Sequence, residues 1–240
     1  MTRSGLTALK GLGQDLLDFI FPSHCYLCSQ YLSSPEKFYC NNCIQNLPAL
    51  AKPFCPICKI YITELPAIHF CQTNLEWVYS LWSYHKPVEI LVHKIKYQGK
   101  TGLARNLGQI LAEQIRANNS LNRVDLIVPV PLHHSRHRER GYNQAEIIAQ
   151  TISPTLNLKM APDLLIRKKN TKDQTRLTAV ERIENVRDAF SVKDEIEIEG
   201  MTIMLVDDVI TTGATLDECA RTLQSAGARK IYACTLAVAV

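Results

Sequence analysis

Asp207 and Asp208 are adjacent carboxylates at the end of the apolar run Met201–Val206, and the chain continues through Thr211, Thr212, Gly213, Ala214 and Thr215. Three hydroxyls, a glycine that permits close backbone approach and the free amides of a helix N-terminus make a cradle for a phosphate group. The two carboxylates repel phosphate. They suit vicinal sugar hydroxyls, which donate to carboxylates, or a magnesium ion, which takes oxygen ligands. A sugar phosphate satisfies both halves. Any two of these residues read as an acidic strand end with an ordinary helix cap, but the complete ordered set points to a ligand.

A second group of candidates lies upstream. Pro129-Val130-Pro131-Leu132 ends an apolar stretch, and His133 to Gln144 packs Arg136, Arg138 and Arg140 with three histidines ahead of Gly141 and a new helix. Arginine makes forked contacts with oxyanions, so this segment is either an exposed basic loop or a site for pyrophosphate or nucleic-acid phosphate. Lys94 and Lys96 stand beside Gly99, and they matter if the fold turns them toward a phosphate.

Seven of the nine cysteines fall between residues 25 and 71, as Cys25/Cys28, Cys40/Cys43, Cys55/Cys58 and a final Cys71 preceded by His69. Paired Cys-x-x-Cys units without a secretion signal favour zinc over disulfides. One site is expected from Cys25, Cys28, Cys40 and Cys43, and a second from Cys55, Cys58, His69 and Cys71. Closed four-ligand sites are structural, and the metal lets a short segment hold its shape with little core. Tyr26, Tyr31, Phe38, Tyr39, Phe54 and Tyr61 lie among the cysteines, where they could stack on bases or, more simply, form the module's core.

The elements that must position these residues are legible from periodicity. Met201–Val206 reads as a buried strand, and Leu216, Cys219, Ala220 and Leu223 follow at helical spacing before Gly227. Trp77–Tyr84 reads as a strand, Pro87 opens a helix to about Tyr97, and Leu103, Leu107, Ile110 and Leu111 define another. Val124–Leu132, Leu164–Arg167, Phe190–Val192 and Lys230–Val240 supply further strands, and helical crossovers between them imply a parallel sheet. Residues 168–187 form a long polar excursion with a helical portion carrying Val180, Ile183 and Val186, which is either a lid that shields a reactive sugar from water or a plain variable connection. The expected organisation is an amphipathic helix over 1–21, a zinc-binding module over 22–72 and an α/β domain over 77–240.

The net charge of +4 does not by itself call for nucleic acid. No stretch approaches the roughly 18 uninterrupted apolar residues of a membrane span, and residues 1–21 lack a signal peptide's apolar core. The expectation is a cytoplasmic protein whose amphipathic helix packs on the protein itself, with attachment to a partner or to the inner face of a membrane as the alternative.

In these segments and their order, residues 16–238 resemble the ComF family, competence-associated proteins that join a double zinc ribbon to a phosphoribosyltransferase-like domain. The matching runs are the cysteine pairs, His93 to Gly99, Pro129 to Leu132 with Arg140 to Gln144, Thr171 to Phe190, and Asp207 to Thr215. The departure is His69 in the fourth pair. The resemblance implies a type I phosphoribosyltransferase-like parallel sheet with flanking helices, and phosphoribosyl pyrophosphate with magnesium as ligand. Asp207 and Asp208 would be catalytic, fixing ribose or metal, Thr211–Thr215 would hold the 5-phosphate, and Pro131, Arg136 and Arg140 would face pyrophosphate. It also implies single-stranded DNA and DNA-uptake proteins as partners in natural transformation. The alternative is an active phosphoribosyltransferase of nucleotide salvage without a DNA role.

Overall fold

The computed structural model describes residues 23–33, 36–50, 52–64, 71–118, 124–169, 179–193 and 196–239. The helix expected over 1–21, His69, residues 170–178 of the expected lid and the side chains of Val180 and Ile183 lie outside the described residues. Packing divides the chain after Leu47 into two units.

In the first unit, Cys25 opens a turn closed by the Ser29 amide donating to the Cys25 carbonyl (2.9 Å), and His24 bridges Tyr31. Cys40 caps a short helix, α1 (Asn41–Gln45). Cys25, Leu32 and Cys40 are buried together, with Leu27, Tyr39 and Cys43 packed against them.

The second unit repeats that turn thirty residues on. The Lys59 amide donates to the Cys55 carbonyl (3.0 Å), and Phe54 bridges Tyr61. Phe54 also exchanges two 2.9 Å backbone hydrogen bonds with Val78, and Ala49 bridges Trp82. The segment therefore covers the edge of strand β1 (Trp77–Ser83), whose unpaired backbone groups would otherwise need another partner. Composition changes character near residues 72–77, but Phe54 is buried in the core of the sheet, so the second cysteine set packs as part of this unit.

The main sheet has the order β1-β7-β6-β2-β3, with every pair parallel. Its other strands are β2 (Leu126–Pro129), β3 (Lys159–Met160), β6 (Thr202–Ile210) and β7 (Lys230–Val238). Helices cover the sheet, so the central strands read as continuous apolar runs. Helix α2 (Lys86–Tyr97) carries Pro87 in its first turn and buries Val88, Leu91, Val92 and Ile95. Helix α3 (Thr101–Ala117) buries Leu103, Leu107, Leu111 and Ile115. Helix α4 (His134–Arg140) is stopped by Gly141 at φ 81°, and α5 (Gln144–Leu156) begins after Asn143 caps it through the Ala145 amide.

Two strands depart from the single parallel sheet expected: β4 (Leu165–Arg167) and β5 (Phe190–Val192) are not part of the main sheet and pair antiparallel with each other, Leu165 opposite Val192. The reason is local. The excursion between them returns the chain on itself, with the Lys168 amide donating to the Ala189 carbonyl (2.8 Å) and the Lys193 amide to the Leu164 carbonyl (2.9 Å). Helix α6 (Ala179–Val186) lies within that excursion. Helix α7 (Ala214–Ser225) follows β6 and buries Leu216, Cys219, Ala220 and Leu223. Cys219 and Cys234 are fully buried core residues.

Candidate functional site

β2 leads through α4 and α5 to β3 on one side, whereas β6 leads through α7 to β7 on the other. Adjacent strands whose connections diverge leave a crevice at their carboxyl ends, the usual ligand position in open α/β sheets. Pro129 pairs with Val206, and the Val130 amide donates to the Val206 carbonyl (2.9 Å), so β2 ends just short of Asp207 on β6. The crevice is a cavity of about 350 Å³. Asp207, Asp208, Thr211, Thr212, Gly213, Ala214, Thr215, Pro131, Arg136 and Arg140 all line it.

The loop between β6 and α7 turns at Gly213, which has φ 83°, a left-handed conformation that favours glycine. This turn leads into α7, whose first residues Ala214 and Thr215 line the cavity beside Thr211 and Thr212. The Thr212 hydroxyl accepts from the Ala214 amide at 3.4 Å.

The two carboxylates are not equivalent. Asp208 is 3% exposed, and its Oδ2 pairs with Lys96 Nζ at 2.8 Å. Burial opposes the Lys96 charge, but the Asp208 carboxylate outweighs it and holds the ammonium above its ordinary pKa. Asp207 is partly exposed to the cavity and accepts the Asp208 amide at 2.8 Å. Burial and then the neighbouring Asp208 carboxylate push Asp207 up to about 8. Two crowded acids, one tied to a lysine and one facing the cavity, suit a ligand that brings hydroxyls or a cation.

Arg136 and Arg140 lie four residues apart on α4 and share one face. Arg140 donates to Gln144 Oε1 at 2.5 Å and stacks its guanidinium over Tyr97 at 5.5 Å. Arg167, at the end of β4, also lines the cavity; it is 8% exposed and lies 5.3 Å over the Phe190 ring. Burial, with a contribution from Arg136, lowers its pKa. Three guanidinium groups therefore face a site whose acids are partly neutralised, an arrangement for polyanionic oxygens.

Lys96, Tyr97, Gln144, Arg167 and Tyr84 are lining residues that the acid and threonine loop did not announce. For Lys96 the signal was present, since helix periodicity places it one position after buried Ile95 near the end of α2. Lys94, by contrast, stays on the surface and reaches Gln98 Oε1 at 3.4 Å. Arg167 carried no signal; before Lys168 and Lys169 it reads as the start of a solvated basic run.

The cysteines gather into Cys25/Cys28/Cys40/Cys43 and Cys55/Cys58/Cys71, with the sulfurs of each set within 4.8 Å of one another. Zinc–sulfur arms of about 2.3 Å place tetrahedral sulfurs about 3.8 Å apart. Cys28 and Cys40 sulfurs are 3.8 Å apart. Burial raises the Cys25 thiol, but backbone amides of Cys28, Cys40 and Leu27 outweigh it and bring it down to about 6, as a thiolate ligand requires. Burial and the Cys58 and Cys55 sulfurs push Cys71 up to about 11, a repulsion that a divalent cation removes. Both sets fit structural zinc; the fourth ligand expected for the second, His69, is outside the described residues.

Fold and site together define a phosphoribosyltransferase-type domain joined to a zinc ribbon. Residues 139–239 match the phosphoribosyl transferase domain family, and residues 16–73 match the double zinc ribbon domain family. The chain is 30% identical over 222 residues to competence protein F of Haemophilus influenzae, covering 84% of this chain and 97% of that protein. It is likewise 30% identical over 217 residues to the DNA utilization protein YhgH of Escherichia coli K12, covering 88% and 94%. Competence protein ComFC of Bacillus subtilis matches at 26% over 215 residues, 82% of each chain. The chain belongs to the ComF family.

Proposed function

We propose that this protein binds phosphoribosyl pyrophosphate together with magnesium and acts through that binding in DNA uptake for natural transformation. The observation that carries this reading is the meeting, in one cavity, of the partly exposed Asp207, the Gly213-turned loop and the guanidinium groups of Arg136, Arg140 and Arg167. The amides of residues 212–215 and the threonine hydroxyls take the 5-phosphate. Asp207 accepts from the ribose hydroxyls, and Asp208 holds Lys96 in place beside it. The guanidinium groups take the pyrophosphate in forked contacts. Asp207, with the crowded Asp208 behind it, would hold magnesium, which supplies charge neutralisation to the pyrophosphate oxygens. The names of the relatives, a competence protein and a DNA utilization protein, support the role in DNA uptake. Single-stranded DNA is then the macromolecular partner. Among the described residues no helix is long and apolar enough to cross a membrane.

The test is thermal unfolding with saturating phosphoribosyl pyrophosphate and magnesium. A ligand at a hundred times its Kd raises the midpoint of a chain this size by about 5 °C or more. Asp207→Asn combined with Asp208→Asn is expected to abolish the shift. An equal shift in the double variant overturns the assignment.

A further inference from the structure

We infer that Lys59, on the second cysteine turn, is a positioning residue for the sugar-phosphate loop, so that the second zinc ribbon is a working part of the pocket. This rests on the phosphoribosyl reading above and assigns a further residue to it. A loop that binds phosphate must turn its amides inward and at least some of its carbonyls outward. The Thr211 carbonyl finds its donor in Lys59, whose Nζ approaches at 3.3 Å. From the same turn, Pro56 lies beside the hinge of the loop: a Cβ built on Gly213 would be at ordinary contact distance, 3.6 Å from the Pro56 Cβ and 3.7 Å from its carbonyl oxygen. One knuckle therefore donates to the carbonyl that must stay out and neighbours the glycine at which the loop turns.

The far end of the ribbon grips the same junction. Just after Cys71, Thr73 donates its hydroxyl to Asp217 Oδ1 at 2.8 Å, and the Asn74 amide reaches that oxygen at 2.7 Å. The Asn74 side chain adds a 3.0 Å bond to Asp217 Oδ2. Asp217 lies in the first turn of α7. The loop and the helix start that would receive the phosphate are thus held at two points by residues next to the cysteines of the second set.

The first cysteine turn supplies the control. Ser29 and Lys59 occupy the same place in the two repeats, both in the left-handed region, at φ 63° and 62°. Each accepts the same backbone pattern, with Cys25 donating to the Gln30 carbonyl (2.8 Å) and Cys55 to the Ile60 carbonyl (2.9 Å). Serine is accommodated at this conformation in this same protein. Lys59→Ser therefore removes the ammonium and spares the turn, and Lys59→Arg keeps a donor.

The experiment measures binding of ribose 5-phosphate and, separately, of inorganic pyrophosphate by calorimetry, using the full chain and both variants with zinc content checked. Lys59→Ser is expected to weaken ribose 5-phosphate about tenfold, the scale of one charge-assisted hydrogen bond, and to leave pyrophosphate unchanged. Lys59→Arg is expected to recover most of the loss. Equal ribose 5-phosphate affinity in the unaltered protein and Lys59→Ser overturns the inference alone, and so does a parallel loss of both ligands. Failure of the unaltered protein to bind ribose 5-phosphate overturns the phosphoribosyl reading and this inference with it.

Discussion

Asp207 and Asp208 are neighbours in sequence, yet opposite sides of β6 give them different tasks. Asp208 is spent on Lys96 at 2.8 Å, and Asp207 is left facing the cavity with a carboxyl raised to about 8. The cost of that arrangement is readable as pH dependence. An unfolded aspartate titrates near about 3.9. Between that value and about 8 the folded state binds the extra proton, so this group's contribution to stability is complete below pH 4 and is lost as the pH rises through 8. Asp207→Asn removes the proton exchange. In urea unfolding between pH 5 and 9, the variant is expected to gain on the unaltered protein as pH rises toward 8 and to gain little beyond it; parallel midpoints across that range would refute the raised carboxyl. Legibility at this scale followed chemistry that repeats at short range. The acids and threonines stand together in sequence and were plain, whereas Arg167 and Lys96 reach the cavity from other elements and depend on tertiary placement.

At the scale of elements, α4 turns a basic run into two faces. The sequence allowed either an exposed loop or a phosphate site, because a stretch of charged residues has no apolar period to betray a helix. As a helix, it points Arg136 and Arg140 into the cavity, while Arg138, two residues from each, is on the exposed side. The two phosphate roles can therefore be separated. Arg138→Ala is expected to weaken single-stranded DNA binding and reduce its salt slope by about 0.7, one phosphate contact, with the phosphoribosyl pyrophosphate shift retained. Arg136→Ala with Arg140→Ala is expected to remove that shift. An unchanged DNA salt slope in Arg138→Ala would remove α4 from the DNA surface. The strand-to-helix turn at Gly213 was legible for the opposite reason, since buried strand, glycine and helical apolar spacing all agree. β5 misled because three residues of strand pattern carry no record of their partner, and here the antiparallel return to β4 won over the parallel sheet.

Across the whole molecule, the two cysteine sets stabilise units of very different kinds. The described part of the first unit buries Cys25, Leu32 and Cys40, with Leu47 also inaccessible, and has few other apolar contacts. Ordering each residue costs about 1–2 kcal/mol of backbone entropy, far more than so small a core returns. Structural zinc contributes on the order of 10 kcal/mol to such modules, so four thiolates on one ion would supply what this core lacks. The second set is different. Phe54 is buried among residues of the main sheet, and Leu50 and Tyr61 pack against the same core. Removing its metal leaves that packing and the five-stranded sheet to hold the unit. Stepwise chelation followed by hydrogen exchange is therefore expected to expose the amides of residues 23–47 first. The amides of β6 and β7, central in the sheet and paired along nine residues each, keep their protection. Simultaneous loss of protection in residues 23–47 and in β6 and β7 would mean that the sheet depends on zinc as fully as the first ribbon does, against the burial that separates them.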